Sequence, residues 1–303
     1  MIVTKSGIFA SFQSLPDPSE QWAGISPGGA ADIFSFSLLN LVLGNNENES
    51  CIEFYFPGIQ LLFQEDCIFC LAGADFCPYL DDKPLKNLVN YQAKSGQVLT
   101  LKKKINGNVG YFGVKGGFDL ENITKFNSKI VSGDSLKIKL KDSDFKFANL
   151  SNRYFEEKIS RGTIRFVPDN EYFDLENEMK ERLNKSTFEI SHETNRMGIR
   201  IMGPEIKLKV HKELTSVPVT KGTIQLLPDG NLTILMADSQ VTGGYPRLGF
   251  ISAVDIDVLA QKYPCQKFNF KPITITESRE LIKERNDFLK KLEGSKKLAT
   301  KNL

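Results

Sequence analysis

Short apolar runs, broken every few residues by turn formers, dominate the first half of the chain. Ile52-Glu53-Phe54-Tyr55-Phe56, Gln60 to Phe63, Cys67 to Ala72 and Val98 to Leu101 each read as a strand. Breakers fall between them at Pro57-Gly58, Gly73, Asp81-Asp82, Pro84 and Ser95-Gly96. An opening strand lies within residues 2–13, and another runs from Gly110 to Val114 ahead of the pair Gly116-Gly117. Many short strands at this spacing predict a barrel or sandwich, not alternating βα units. A helix from Ala31 to Leu43 interrupts them. Its apolar residues cover most of its circumference, which predicts burial on most sides, and Gly44 marks its stop. The glycine pair ahead of it, Gly28-Gly29, suits tight packing or the binding of an anion by free N–H groups, with packing preferred.

The second half carries a polar helical stretch from Glu171 to Leu183, a strand around Phe188-Glu189-Ile190, and a buried strand from Leu232 to Ala237. Thr276 is expected to cap a helix from Glu277 to about Leu292, with Leu281, Ile282, Phe288, Leu289 and Leu292 as its apolar stripe. Lys296 to Lys301 reads as a frayed, solvated tail. At 303 residues the chain is long enough for two domains. Loop-forming residues between 143 and 158 suggest the cut: residues 1–150, residues 151–276, and a terminal helix and tail at 277–303. Two internal echoes, Lys94–Lys102 with Val131–Lys139 and Gly162–Asp169 with Gly222–Asp229, suggest reuse of a turn-plus-strand unit.

Charge removes some partners. Lys and Arg total 39 against 37 acids, for a net charge of +2, so no basic surface for nucleic acid is expected. No apolar run approaches the roughly 18 residues of a membrane span, and no basic region followed by an apolar stretch opens the chain, so the expected location is cytoplasmic. The five cysteines include Cys67-Ile68-Phe69-Cys70, which has zinc-ligand spacing. In a strand, however, residues three apart face opposite ways. Only two histidines exist, His192 and His211. Buried reduced thiols are therefore expected, with no metal site.

Candidate chemistry gathers after the Leu232–Ala237 strand. In Asp238-Ser239-Gln240-Val241-Thr242-Gly243-Gly244-Tyr245-Pro246, an extended chain would put Asp238, Gln240 and Thr242 on one face. Gly243-Gly244 would then let backbone approach a ligand. The alternative is a strand end, a glycine turn and Tyr245 as a packing ring. Arg196 and Arg200 bracket Gly198; they are either solvated strand-edge cations or a two-pronged carboxylate or phosphate site. No G-x-x-x-x-G-K-[ST] loop, G-x-G-x-x-G or G-x-S-x-G elbow occurs.

Arg196-Met197-Gly198, Gly222-Thr223-Ile224-Gln225, Pro228-Asp229-Gly230 and Asp238-x-Gln240-x-Thr242-Gly243-Gly244-Tyr245-Pro246 together resemble the family known as the 5-oxoprolinase C subunit, allophanate hydrolase subunit 2, or the carboxyltransferase-like KipA family. Gln13, Gly24, Gly29-Ala30-x-Asp32, Glu53, Gly73-Ala74-Asp75 and Val114-x-Gly116-Gly117 extend the likeness over about residues 1–275. The resemblance implies a mainly β protein with a few helices, built from two cyclophilin-like β-barrel domains. It also implies a KipI-like 5-oxoprolinase B chain as partner, with the enzyme's A chain as a third component, and ATP-dependent opening of 5-oxoproline to glutamate by the complex. Allophanate or urea-type chemistry, carboxyl transfer, and a non-catalytic antagonist of a kinase inhibitor are the alternatives. ATP would be bound at the level of the complex, and no biotin attachment site is expected, because Met179-Lys180 lies in a polar helical stretch. The positions supplied are Gln13, Asp32, Arg196, Arg200, Gln225, Asp238, Gln240, Thr242, Gly243, Gly244 and Tyr245. Residue chemistry suggests roles for most of them: Arg196 and Arg200 hold an anionic oxygen, Asp238 orients or takes a proton, and Gln240, Thr242 and the Gly243-Gly244 amides donate hydrogen bonds. The chain departs from the family pattern at Gln13-Ser14-Leu15-Pro16-Asp17, after Gly117, and at Asp169-Asn170.

Overall fold

The computed structural model describes residues 1–120, 129–139, 148–151, 153–209 and 214–301. Contacts divide the chain into two compact units. One comprises Met1–Leu15 and Asp32–Ile159, the other Pro16–Ala31 and Ser160–Leu303. Residues 16–31, read from the sequence as part of the N-terminal domain, thus cluster with the second unit. His211 and the 121–124 connection lie outside the described residues.

In the first unit β1 (Ile2–Lys5), β2 (Ala10–Gln13), α1 (Ile33–Leu43), β3 (Cys51–Tyr55), β4 (Gln60–Leu62), β5 (Cys67–Asp75), β6 (Pro78–Leu80), β7 (Lys83–Pro84), β8 (Asn90–Ala93), β9 (Val98–Leu101), β10 (Asn106–Val114) and α2 (Arg153–Ile159) follow in order. They make two five-stranded sheets, β1-β4-β9-β6-β7 and β2-β3-β10-β5-β8. One apolar cluster joins both, drawing Val3, Leu61 and Leu99 from the first sheet and Phe54, Phe69 and Phe112 from the second. Fully burying each such side chain contributes on the order of 1.5–3 kcal/mol. Rings at 5.1 to 6.4 Å link Phe12, Phe118, Phe112, Phe69 and Phe63 through this core. Helix α1 packs on β5 and β10. Asp32 caps it, accepting from the Ser35 N–H at 3.0 Å and the Ser35 hydroxyl at 2.6 Å. Gly44, at φ 69°, ends it in the left-handed conformation. The helix therefore starts two residues later than its apolar pattern suggested, because Asp32 is the cap and not a helical residue. β5 also runs on through Gly73 to Asp75, where a break was expected.

The second unit contains β11 (Thr163–Pro168), α3 (Asn170–Phe173), α4 (Asn177–Lys185), β12 (Thr187–Thr194), β13 (Gly198–Met202), β14 (Val217–Pro218), β15 (Thr223–Leu226), β16 (Leu232–Leu235), β17 (Thr242–Gly243), β18 (Arg247–Ile251), α5 (Ala253–Ala260), β19 (Lys267–Pro272) and α6 (Ile275–Lys301). Seven strands close a barrel in the order β11-β18-β15-β16-β13-β12-β19, and β14 pairs with β17 as a separate ribbon. Closure leaves no free sheet edge in the barrel. Both Gly-Thr-Ile echoes become barrel strands, β11 and β15. The polar stretch from Glu171 is two helices, α3 and α4, not one.

Buried charges anchor α5. Asp255 is fully buried and takes Arg165 in a two-pronged pair at 2.8 and 2.6 Å, plus the Arg165 N–H at 2.8 Å. Asp257, also buried, meets Arg285 of α6 at 3.2 Å. Helix α6 opens with a capping box. Glu277 N–H donates to Thr274 Oγ1 at 3.2 Å, and Glu277 Oε2 accepts from the Thr274 N–H at 2.6 Å. The cap is Thr274 and not Thr276, so the helix starts earlier than expected.

Candidate functional site: an arginine–aspartate pair at the barrel end

Strands β13 and β16 run antiparallel with Gly198 opposite Leu235. Beyond the ladder the same pairing continues, as Met236 N–H donates to Met197 O at 3.0 Å and Asp238 N–H to Arg196 O at 2.9 Å. Arg196 itself sits in the β12–β13 hairpin loop. Asn195 Oδ1 shapes that loop by accepting from the Met197 and Gly198 N–H groups at 2.7 and 3.3 Å. The backbone therefore fixes the two residues opposite each other before their side chains interact.

The side chains then meet head to head. Arg196 Nε donates to Asp238 Oδ2 at 2.7 Å and Nη2 to Oδ1 at 2.8 Å, while Nη2 also reaches Gly29 O at 2.9 Å. The arginine side chain is 7% exposed and the aspartate 28%. This asymmetry decides their roles. Arg196 is committed on several sides and fixes the carboxylate, whereas Asp238 keeps an edge open to solvent.

The segment Ser26–Ala31 is held by the same group of residues. Ser26 Oγ donates to Ala237 O at 2.8 Å, and Lys221 Nζ donates to Ala30 O and Ala31 O at 3.0 and 2.9 Å. Gly29 packs against Pro16 so closely that a Cβ there would lie 2.6 Å from the proline nitrogen. Here the glycine loop offers carbonyls to two cations, the opposite polarity from an anion site. Lys221 was not singled out from the sequence, since a lone lysine before Gly222 carries no recognisable pattern.

The other residues expected at the site are dispersed. Ser239 N–H closes a turn on Met236 O at 3.2 Å, so the chain is not extended at Asp238. Gln240 and Thr242 are exposed, and Thr242-Gly243 pairs with Val217-Pro218. Asp238, Gln240 and Thr242 thus do not form one strand face. Arg200 points to the barrel exterior and pairs with Asp229 and with Glu193, the latter at 3.2 Å. Gly244 and Tyr245 edge a cleft of about 610 Å³ lined largely by Ile206, Leu208, Leu226 and Leu227. Lys207, the lysine that lines this cleft among the described residues, is paired with Glu205 at 2.9 Å. This donor set does not fit a nucleoside triphosphate. Gln225 is buried on β15 beneath Gly243.

Gln13 and Asp32 belong to the first unit and have structural hydrogen bonds there. Gln13 Nε2 donates to Ser11 Oγ at 2.8 Å. Asp32 caps α1, and its N–H donates to the Tyr111 hydroxyl at 2.8 Å, which in turn donates to the buried Glu53 Oε2 at 2.8 Å. Burial, and then the Glu53 charge, push the Tyr111 hydroxyl well above its usual range. All five cysteines are free thiols. Burial pushes Cys67 up to about 12. Among the described residues no group of three or more His, Cys, Asp or Glu is placed to hold a metal, and no helix is long and apolar enough to cross a membrane.

A β-rich chain whose second unit is a closed barrel, with a guanidinium-fixed carboxylate at one end, defines the class. Residues 23–272 match the family model described as carboxyltransferase domain, subdomain A and B, and the chain belongs to that family. It is 30% identical over 277 residues to the 5-oxoprolinase C subunit of Haemophilus influenzae, covering 88% of this chain and 89% of that protein. Solved structures agree in fold. TTHA0988 matches with a TM-score of 0.80 at 22% identity over 89% of this chain, which spans 56% of that one. The K. lactis urea amidolyase matches with a TM-score of 0.85 at 20% identity over 96% of this chain, which spans 20% of that one.

Proposed function

We propose that this chain is the C subunit of an ATP-dependent 5-oxoprolinase. In this reading the barrel end around Asp238 is one wall of a site completed by a KipI-like B chain. The observation that carries it is the end-to-end correspondence with a protein of that name, 88% of one chain against 89% of the other. The geometry supports a part for Asp238, which is partly open while Arg196 holds its orientation.

An unstrained lactam is a poor electrophile until its oxygen is activated. ATP held by a partner chain supplies that activation. Asp238 then orients the attacking water and accepts its proton, and Arg196 keeps the carboxylate aimed. Arg196 is thus a positioning residue and not an anion clamp for substrate, and Arg200 takes no part.

Reconstitution with the B chain and a third component tests the reading: glutamate should appear from 5-oxoproline only with ATP and all chains present. A second reading, action on a urea-derived amide, draws on the fold shared with urea amidolyase. Running allophanate beside 5-oxoproline in the same assay decides between them. An assembled complex that releases no glutamate sinks the first reading.

A further inference from the structure

The chain's one tryptophan stands in water. Trp22 is 87% exposed, on a short 3-10 helix (Pro18–Ala23) that buries none of its residues. Polar contacts hold the loop that carries it. At the neck Asp17 N–H donates to Pro27 O at 2.9 Å, and Asp17 Oδ1 caps the turn by accepting from the Ser19 N–H at 2.9 Å. Below the neck, Ser26 is tied to Ala237, Gly29 to Arg196, and Ala30 and Ala31 to Lys221. The loop is thereby fixed to the barrel end on which Asp238 sits. Ile25, 51% exposed, adjoins Ser26, and Met197, 53% exposed, adjoins Arg196. Single exposed apolar side chains are ordinary. Three around one end, one of them a tryptophan held in place, have the composition and rigidity of an interface hot spot.

Charge separates the possible occupants. The ionisable side chains of the loop are Asp17 and Glu20, and Asp238 keeps an open edge beside it, whereas Arg196 and Lys221 are committed to Asp238 and to carbonyls. A second copy docking about a two-fold axis would bring these acids together with their own equivalents, a like-charge juxtaposition that opposes association. A different chain, offering an apolar pocket with a cationic rim, meets no such opposition.

We propose that the loop from Asp17 to Pro27 is a preformed docking knob: Trp22, backed by Ile25 and Met197, fills an apolar pocket rimmed by Lys or Arg on the partner chain that closes the site around Asp238. That the partner is the B chain rests on the proposed function; the character of its pocket follows from the knob. Because the loop is already fixed, docking orders little backbone, and more of the burial counts toward affinity. The same contact brings the partner's surface over the open edge of Asp238, so assembly and completion of the site are one event. Trp22 touches the partner and not the reacting atoms.

The full chain grown on 5-fluorotryptophan carries a single fluorine, at Trp22, whose NMR resonance is followed as unlabelled B chain is added. The free chain should show the solvent isotope shift of a wet indole, and the complex should lose it. Trp22→Ala should weaken B-chain binding by about 30-fold or more, a hot-spot residue's share. Its Tm should stay within about 2 °C of wild type, because so exposed a side chain packs little. Phe173→Ala removes a ring 65% exposed on α3, at the other end of the barrel strands, and should leave binding unchanged. Glu20→Lys should slow association and weaken its dependence on salt. Wild-type affinity in Trp22→Ala, an indole still wet in the complex, no binding of the B chain, or Trp22-dependent self-association of the chain alone overturns the docking knob. Trp22-dependent assembly into a complex that releases no glutamate upholds the knob and rejects the proposed function. Glutamate release that responds to B-chain concentration alike in wild type and Trp22→Ala does the reverse.

Discussion

Replacing Arg196 by alanine removes two charge-assisted hydrogen bonds to Asp238 and one to Gly29 O. Breaking a buried ion pair by deleting one partner costs about 3–5 kcal/mol, most of it from the charge left behind. Asp238 is 28% exposed and regains some water, so the low end of that range applies, about 3 kcal/mol. In a unit of this size roughly 2–4 °C accompany each kcal/mol, so Tm should fall by about 6–12 °C. Calorimetry of Arg196→Ala, Asp238→Ala and the double variant closes a thermodynamic cycle, and the pair should show a coupling of at least about 1 kcal/mol. Additive losses, or a loss below about 1 kcal/mol for Arg196→Ala, would refute the reasoning that Arg196 fixes the carboxylate.

Four further outcomes follow from the packing. Thr274→Ala should cost about 1 kcal/mol and raise amide exchange over the first turn of α6; unchanged exchange there would discount the capping box. Glu277 has its carboxyl held below the usual range, chiefly by the Thr274 backbone hydrogen bond. Its contribution should therefore be present above its unfolded pKa and lost as pH falls through the lower folded one, which melts recorded from pH 6 down to 3, with and without Glu277→Gln, will reveal. Asp255→Asn should destabilise by about 3–5 kcal/mol in urea unfolding, since Arg165 loses its buried partner. A thiol reagent should modify exposed Cys265, 3.5 Å from His192 Nε2, first, while buried Cys51 and Cys70 react only on unfolding. Native-state labelling of Cys51 ahead of Cys265 would contradict this.

The β-rich architecture was legible because alternation and turn formers are local signals, and α1 was legible because Asp32 and Gly44 bracket an apolar run. Long-range placement was not. Nothing in residues 16–31 announces that they cluster with the barrel unit, because the carbonyls of Gly29, Ala30 and Ala31 are held by Arg196 and Lys221, far along the chain. Arg196 and Arg200 look equivalent around Gly198, yet one sits in a hairpin loop facing Asp238 and the other on a strand facing Asp229 and Glu193. The extended reading of Asp238 to Thr242 failed at a turn that no glycine or proline marks. Thr274 and Glu277 carried a readable capping box, and Thr276 drew the cap two residues too late.

The central claim turns on Asp238. With assembly confirmed by light scattering, the kcat for glutamate release from 5-oxoproline should fall at least 100-fold in Asp238→Asn, as expected when a positioned acid–base group is lost. An assembled Asp238→Asn complex that releases glutamate at the wild-type rate would contradict the account.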